Sequence, residues 1–366
     1  MKLEIKTLTP LWTGGVEAGK VDRIHETGIL GSLRWWCEAL VRGLGGWACD
    51  PSQGMCGFDA EKYKKSRAAD KHQRLRDAGL CDVCQLFGAT GWRRRFRLTI
   101  VETEVSDAQI DHTISLNNRQ YTDEKGKQRT PTWYFRDPTQ SGKPKANTPK
   151  QGLFSVEIHG LYSGCSAEII AGLVQFIADW AALGARPQMG FGVIELANGR
   201  IDTRPLFKWL ECIAGSNTYT DLPSLKNIFL ARISPQKEVE SFSKQDTFNL
   251  KYDLRRLFAN DKDLRHFIMG TVEDERIAAK VKMSHPYNGD REMRVWGWIP
   301  EEANVYRGSW NRNAVVDSIH QHLHTNYGLQ VWREMNSTRD TVRPNNGDAQ
   351  AFLRDLLAIE EEDDAV

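Results

Sequence analysis

Apolar positions along the first 200 residues change period several times, and each change marks an element. Over Lys2 to Leu8 they alternate, with Leu3 and Ile5 on one face and Lys2, Glu4 and Lys6 on the other, the period of a half-buried strand. From Leu30 to Leu44 the residues Leu33, Trp36/Cys37, Leu40 and Leu44 recur at helical spacing. Arg34, Glu38 and Arg42 fall four apart on the opposite side, and Gly43, Gly45 and Gly46 stop the run. Trp36 is expected to anchor this helix in the core and Trp35 to fill its boundary. Phe96, Leu98 and Ile100 alternate with Arg97, Thr99 and Val101 as a second strand, and Phe154, Val156 and Ile158 alternate with Ser155, Glu157 and His159 as a third. Ser166 caps a helix through Leu183 whose Ile170, Leu173, Ile177 and Trp180 form one stripe. The glycine-rich turn of "LGARPQMGFGVIEL" then leads into a short strand at Val193 to Leu196. The order is β-α-β-β-α-β, the ferredoxin-like or RRM-like arrangement, which leaves one sheet face open.

Beyond Arg200 the pattern predicts a strand running into a helix at "TFNLKYDLRRLF", and a hairpin of "IAAKVKM" with "EMRVWGWIP" around "HPYNGD". Helices follow near Val315 to Leu323 and Ala349 to Ile359. At roughly 100 to 200 residues per domain, the 366 residues read as an α+β chain with two ferredoxin-like βαββαβ domains in tandem. The first spans 1–200 with a cysteine-bearing insertion at about 47–91, the second 201–366.

Composition narrows the partners. No stretch approaches the roughly 18 apolar residues of a membrane span, and "MKLEIKTLTP" alternates instead of forming a signal-peptide core. A cytoplasmic protein with no membrane contact is expected. The formal charge of +1 argues against a nucleic-acid partner, but its distribution reverses the argument. Lys62, Lys64, Lys65, Arg67, Lys71, Arg74 and Arg76 crowd against Asp70 alone, the stretch Asn117 to Lys150 is polar and mainly basic, and the compensating "EEEDD" sits in the tail. Each run also reads as an ordinary solvated face.

Seven cysteines without a secretory signal do not suggest a disulfide framework. Cys81 and Cys84 form a C-x-x-C, and Cys49 and Cys56 lie upstream in "CDPSQGMC". Soft thiolates at such spacing favour tetrahedral zinc, and four of them leave no position open for catalysis. His72 is an alternative ligand, and four reduced thiols in a loop-rich insert are the plain reading. In "WRRRFR", Arg93, Arg94 and Arg95 suit backbone phosphates while Trp92 is the candidate for stacking a base, Phe96 being assigned to the core. Gly184, Gly190 and Gly192 with Arg186 and Gln188 between them suit an anion close to the backbone, or simply a tight turn. No P-loop or dinucleotide fingerprint is present. His25, beside Glu26, is the one constellation suited to proton transfer.

Taken in order, "LTPLWTGG", "ETGILGSLRWWCEAL", "CDVCQLFGATG", "GARPQMGFGVIEL" and "LKYDLRRLF" resemble the RAMP superfamily of CRISPR proteins, with the Cmr subunit one family of type III-B effector complexes as the nearest likeness. The resemblance covers most of residues 1–200. It implies a non-catalytic subunit that binds crRNA near its 3′ end, beside other effector subunits and target RNA. It also implies that Gly28 to Arg34 and Arg186 to Gly192 face RNA, with Gly28, Gly31 and Ser32 leaving main-chain amides bare at a helix start and Arg34 projecting to the same side. Related proteins hold zinc with cysteine pairs beside a "C-x-x-C-x-L-F-G" string, and carry arginine where this chain has His25. Two other readings are a metal-independent RAMP endoribonuclease with His25 as general base, and a scaffold that bridges protein neighbours.

Overall fold

The structure is a computed structural model that describes residues 1–16, 21–54, 56–108, 119–123, 125–129, 149–162, 164, 166–272, 276–300 and 311–360. The first unit runs β1 (Lys2–Thr7), α1 (Glu26–Gly43), three short helices α2 (Ala60–Lys65), α3 (Lys71–Asp77) and α4 (Asp82–Phe87), then β2 (Phe96–Asp107). A two-residue ribbon of β3 (Tyr121–Thr122) and β4 (Gln128–Arg129) precedes β5 (Lys150–Gly160), α5 (Ser166–Trp180) and β6 (Ile194–Leu196). The second comprises α6 (Arg204–Ile213), β7 (Ile228–Ser234), α7 (Asp246–Arg256), α8 (Lys262–Met269), β8 (Val281–Met283), β9 (Met293–Trp298), α9 (Arg312–Asn326), β10 (Gly328–Glu334) and α10 (Ala349–Leu356). The chain is α+β with antiparallel sheets. One sheet has the order β2-β5-β1-β6 and the other β10-β7-β9-β8, so in each the last strand lies beside the first, the first beside the third and the third beside the second.

Alternation dictates the first core. Leu3, Ile5, Phe96, Leu98, Phe154, Val156 and Ile158 leave solvent together and meet Ile29, Leu33, Trp36 and Leu40 of α1 and Ile170, Leu173 and Phe176 of α5. Trp36 meets Phe176 edge to face at 5.3 Å, and the half-buried Trp35 meets Trp36 at 4.8 Å, the division of roles expected of the pair. The opposite face is charged but balanced, with Lys6 2.9 Å from Glu195 and Lys2 3.7 Å from Glu4. In the second core Phe229 of β7 stacks on Trp332 of β10 at 4.9 Å, beside Leu250, Val295 and Ile319.

Several elements differ from expectation. The segment "TFNLKYDLRRLF" contains no strand: α7 begins at Asp246, and the first strand of the second sheet is β7, whose "IFLARIS" is covered on both faces and so shows no alternation. Helix α1 starts at Glu26, four residues earlier than Leu30, so Gly28, Gly31 and Ser32 lie inside it. The basic stretch before Lys150 falls mostly outside the described residues, as does all of the acidic tail after Glu360. Its described Arg119 forms a two-pronged bond with Asp253 of α7, at 2.7 and 3.1 Å.

The two sheets share more than a linker. Leu206 and Leu210 of α6 and Leu353 and Leu356 of α10 complete the first core, and Trp180 donates its indole N–H to the Leu356 carbonyl at 2.7 Å. Arginines of the second sheet cap α5: Arg232 donates to the Asp179 carbonyl at 2.7 Å, and the buried Arg294 to the Ala181 carbonyl at 3.0 Å. The Nε of Arg294 donates to the Tyr287 hydroxyl at 3.0 Å. Replacement by Met strands those acceptors in the interior, and Arg294→Met is expected to lower unfolding stability by about 2–4 kcal/mol in denaturant titration.

Candidate functional site

The cysteine insertion folds onto the polar side of α1. Cys81 is the N-cap of α4, where its sulfur accepts the Cys84 amide N–H at 3.4 Å, and the Cys56 sulfur accepts the Cys81 amide at 3.4 Å. Cys49 lies six residues beyond the end of α1, and its sulfur lies 3.7 Å from that of Cys84. The sulfurs of Cys49, Cys56, Cys81 and Cys84 lie within 4.8 Å of one another. Metal–sulfur bonds of about 2.3 Å at tetrahedral angles separate ligands by about 3.8 Å, so this cluster could hold a metal ion, in a closed site. Hydrogen bonding to Cys49 pushes the Cys81 and Cys84 thiols up, Cys84 to about 12, while contact with Cys81 holds Cys49 down. His72 faces Asp82 instead, with Nε2 2.9 Å from its carboxylate.

Arg34, expected at an RNA-facing helix start, packs against this cluster. Its Nη2 lies 3.1 Å from the Cys84 sulfur and 4.0 Å from that of Cys49, and its Nε donates to Glu38 at 2.9 Å. Glu38 is 4% exposed between Arg34 and Arg42, and Arg42 donates to the Cys49 carbonyl at 2.7 Å. Charges four apart usually mark a solvated helix face; here the insertion covers them.

The two small-residue segments are also used internally. A Cβ on Gly28 would sit 2.6 Å from the Thr13 carbonyl oxygen, one on Gly190 2.7 Å from the His285 ring, and one on Gly192 2.0 Å from the Leu183 oxygen. Ser32 accepts the Gly184 amide at 3.0 Å, while the amides of Gly190 and Gly192 donate to the carbonyls of Pro187 and Pro10 at 3.1 and 2.9 Å. Gly31 faces open space, but its amide lies in the helix interior. Gly28, Gly190 and Gly192 thus admit protein atoms at close approach, and the amides of Gly190 and Gly192 are not bare donors.

Side chains remain available beside the turn. Arg186 adopts φ 55° and lays its guanidinium 3.9 Å from the centre of the Trp12 ring, where burial lowers its pKa; among the described residues it has no carboxylate partner. Arg186, Gln188, Lys251, Gly270 and Thr271 help line a cleft of about 290 Å³ between the units. Lys251, which sequence reading missed because it falls within an amphipathic helix, is 2% exposed and donates to the Gln188 carbonyl at 2.9 Å.

The remaining candidates lie apart from the cleft. His25 is the N-cap of α1, with Nε2 2.7 Å from Asp22, a contact that holds the Asp22 carboxyl below its ordinary range. Trp92 donates its indole N–H to the Gln85 carbonyl at 3.0 Å and packs on Phe58 at 5.0 Å, so its ring belongs largely to the insertion. Arg94 lies over the ring of Phe96 and donates to that residue's carbonyl at 2.9 Å, Arg93 is exposed, and Phe96 is buried as expected.

A family model for the RAMP superfamily matches residues 4–195, and the chain belongs to that superfamily. Among solved structures it is similar to Cmr1 from Pyrococcus furiosus in its apo form, with 14% identity over 90% of this chain and 93% of that one and a TM-score of 0.44. It is also similar to a chain of type III-B Cmr-beta bound to cognate target RNA, with 12% identity over 87% of this chain and 98% of that one and a TM-score of 0.42. A state of Cmr-beta with target RNA, AMPPnP and single-stranded DNA gives 12% identity, coverage of 89% and 99% respectively, and a TM-score of 0.41. No curated protein matches the sequence.

Burial, aided by the charge of Arg255, pulls the Lys251 pKa from 10.5 down to about 7. Below that value folded and unfolded chains both hold the proton and folding bears the cost of the buried charge. Above it, up to the unfolded value, only the unfolded chain is protonated, so this group makes stability rise with pH. From about pH 7 to about 9, denaturant unfolding is expected to show wild type gaining stability relative to Lys251→Met.

Proposed function

We propose that the chain is a non-catalytic, cytoplasmic crRNA-binding subunit of a type III-B CRISPR effector complex, seated near the guide's 3′ end beside other effector subunits and target RNA. Superfamily membership and the ordered motifs of residues 1–200 support this reading, and the shared strand order of the two sheets supports two ferredoxin-like domains divided near residue 200. The observation that carries it is Arg186, held over Trp12 without a carboxylate partner among the described residues, at the mouth of a cleft that also holds Lys251. Arginine in that setting suits a phosphate, with Gln188 offering a polar partner. Arg93 and Arg95 extend the basic surface along the first sheet.

Cys49, Cys56, Cys81 and Cys84 would hold one structural zinc, which cross-links the insertion to the end of α1. Arg34 compensates part of the thiolate charge there. Protein purified without chelator is expected to carry about one zinc per chain by elemental analysis, and Cys81→Ser to lose both the metal and several degrees of melting temperature.

Binding of labelled single-stranded RNA should be measurable at low salt and weaken steadily as salt rises. Arg186→Ala is expected to reduce affinity several-fold and to shallow the salt dependence by about 0.7 of a unit of slope, the share of one phosphate contact on a single strand, with melting unchanged. Wild-type protein without RNA affinity would remove the reading. The His25–Asp22 pair, an oriented imidazole, favours a second reading as a metal-independent endoribonuclease. In that case the same RNA is cut without divalent ions by wild type and left intact by His25→Ala.

A further inference from the structure

Arg95 stands where the insertion meets the first sheet, with its guanidinium against two rings, 4.3 Å from the centre of Trp92 and 4.4 Å from that of Tyr162. The stack is built into the fold at both ends. Trp92 is locked by its bond to the Gln85 carbonyl, and the Arg95 carbonyl accepts the Leu161 amide at 2.8 Å and the Ser166 hydroxyl at 3.3 Å. Tyr162, the outermost member, is 50% exposed, a costly position for an aromatic ring.

Charge at this corner departs from the rest of the open sheet face. Elsewhere on that face lysines pair with glutamates. Here Arg97 lies across from His159 in the β2–β5 register, and Glu157 is taken by His159 at 3.6 Å. Among the described residues Arg93, Arg95 and Arg97 have no carboxylate within salt-bridge distance. A guanidinium held against aromatic rings keeps N–H donors at its edge for an acceptor, which suits phosphate oxygens.

Building on the RNA-binding reading above, we propose that this corner is a second contact for single-stranded RNA, separate from the Arg186 cleft, in which Tyr162 stacks an unpaired base and Arg93, Arg95 and Arg97 hold the flanking phosphates. Base on aromatic ring is a recurrent, sequence-tolerant contact, and the Trp92–Arg95 pair beneath pre-orders its platform, so little freedom is lost on binding.

The test uses the full chain and fluorescently labelled single-stranded RNA of mixed sequence, at low and moderate salt. Tyr162→Ala is expected to weaken binding about five-fold or more with an unchanged melting temperature. Tyr162→Phe keeps wild-type affinity, because the ring and not the hydroxyl does the stacking, and RNA carrying a photoreactive uridine crosslinks at Tyr162. Wild-type affinity in Tyr162→Ala, while Arg186→Ala is weakened, overturns the corner site and leaves the RNA-binding reading standing. Loss in Tyr162→Phe equal to that in Tyr162→Ala overturns the stacking contact. If wild type binds no RNA, or if Tyr162→Ala affects only association with a protein neighbour, the corner is not an RNA site.

Discussion

Close approach of main chain to main chain at the turn between α5 and β6 is the constraint on which the molecule depends. Gly190 pairs with Ser284 at the edge of the second sheet, and the His285 amide donates to the Gly190 carbonyl at 2.9 Å. Two residues on, Gly192 returns its amide to Pro10 and its carbonyl to Leu183, and Val193 bonds to Leu8 and Thr9. Any Cβ at Gly190 or Gly192 meets protein atoms at 2.7 Å or less, and the positive φ of both positions disfavours other residues. The junction of the two sheets, the perch of Arg186 on Trp12 and the cleft beside Lys251 all follow from this knot of backbone.

Charge is placed by the same logic of covering. The Arg34–Glu38–Arg42 ladder would be an ordinary solvated stripe on a bare helix, but the insertion lands on it and turns it into an internal support for the cysteine cluster. Buried ion pairs add little net stability and are more credibly specifiers of arrangement. Here the ladder sets where the insertion sits, with Arg34 aimed at Cys84 and Arg42 at the carbonyl of Cys49. The C-terminal end of α5 shows a parallel use, since Arg232 and Arg294 of the second sheet satisfy its last carbonyls and bind the two units together.

How far the fold was legible depends on how much of each element faces water. Strands β1, β2 and β5 and the stripe of α5 carry one apolar and one polar side, so their period is plain. Strand β7 is covered on both sides and was missed, and the residues of α7 were misread in part as a strand because Phe248, Leu250 and Tyr252 happen to alternate within a helix. The four cysteines were paired correctly as a cluster because ligand spacing is local chemistry. The internal partners of Arg34 were not legible because they lie 50 residues away at Cys84 and 54 away at Gly88.

By itself the sequence determined the α+β class, the core faces of the first sheet, the grouping of the four cysteines and the superfamily motifs, all of which are written in short-range periodicity or spacing. Only the tertiary structure decided which glycines touch protein, which arginines are consumed internally, and that Lys251 and Tyr162 stand beside the residues of interest. The physical reason is that a side chain's partner is set by whatever covers it, and covering comes from segments far along the chain. A charge or a glycine carries the same local signature whether phosphate, thiolate or backbone ends up against it.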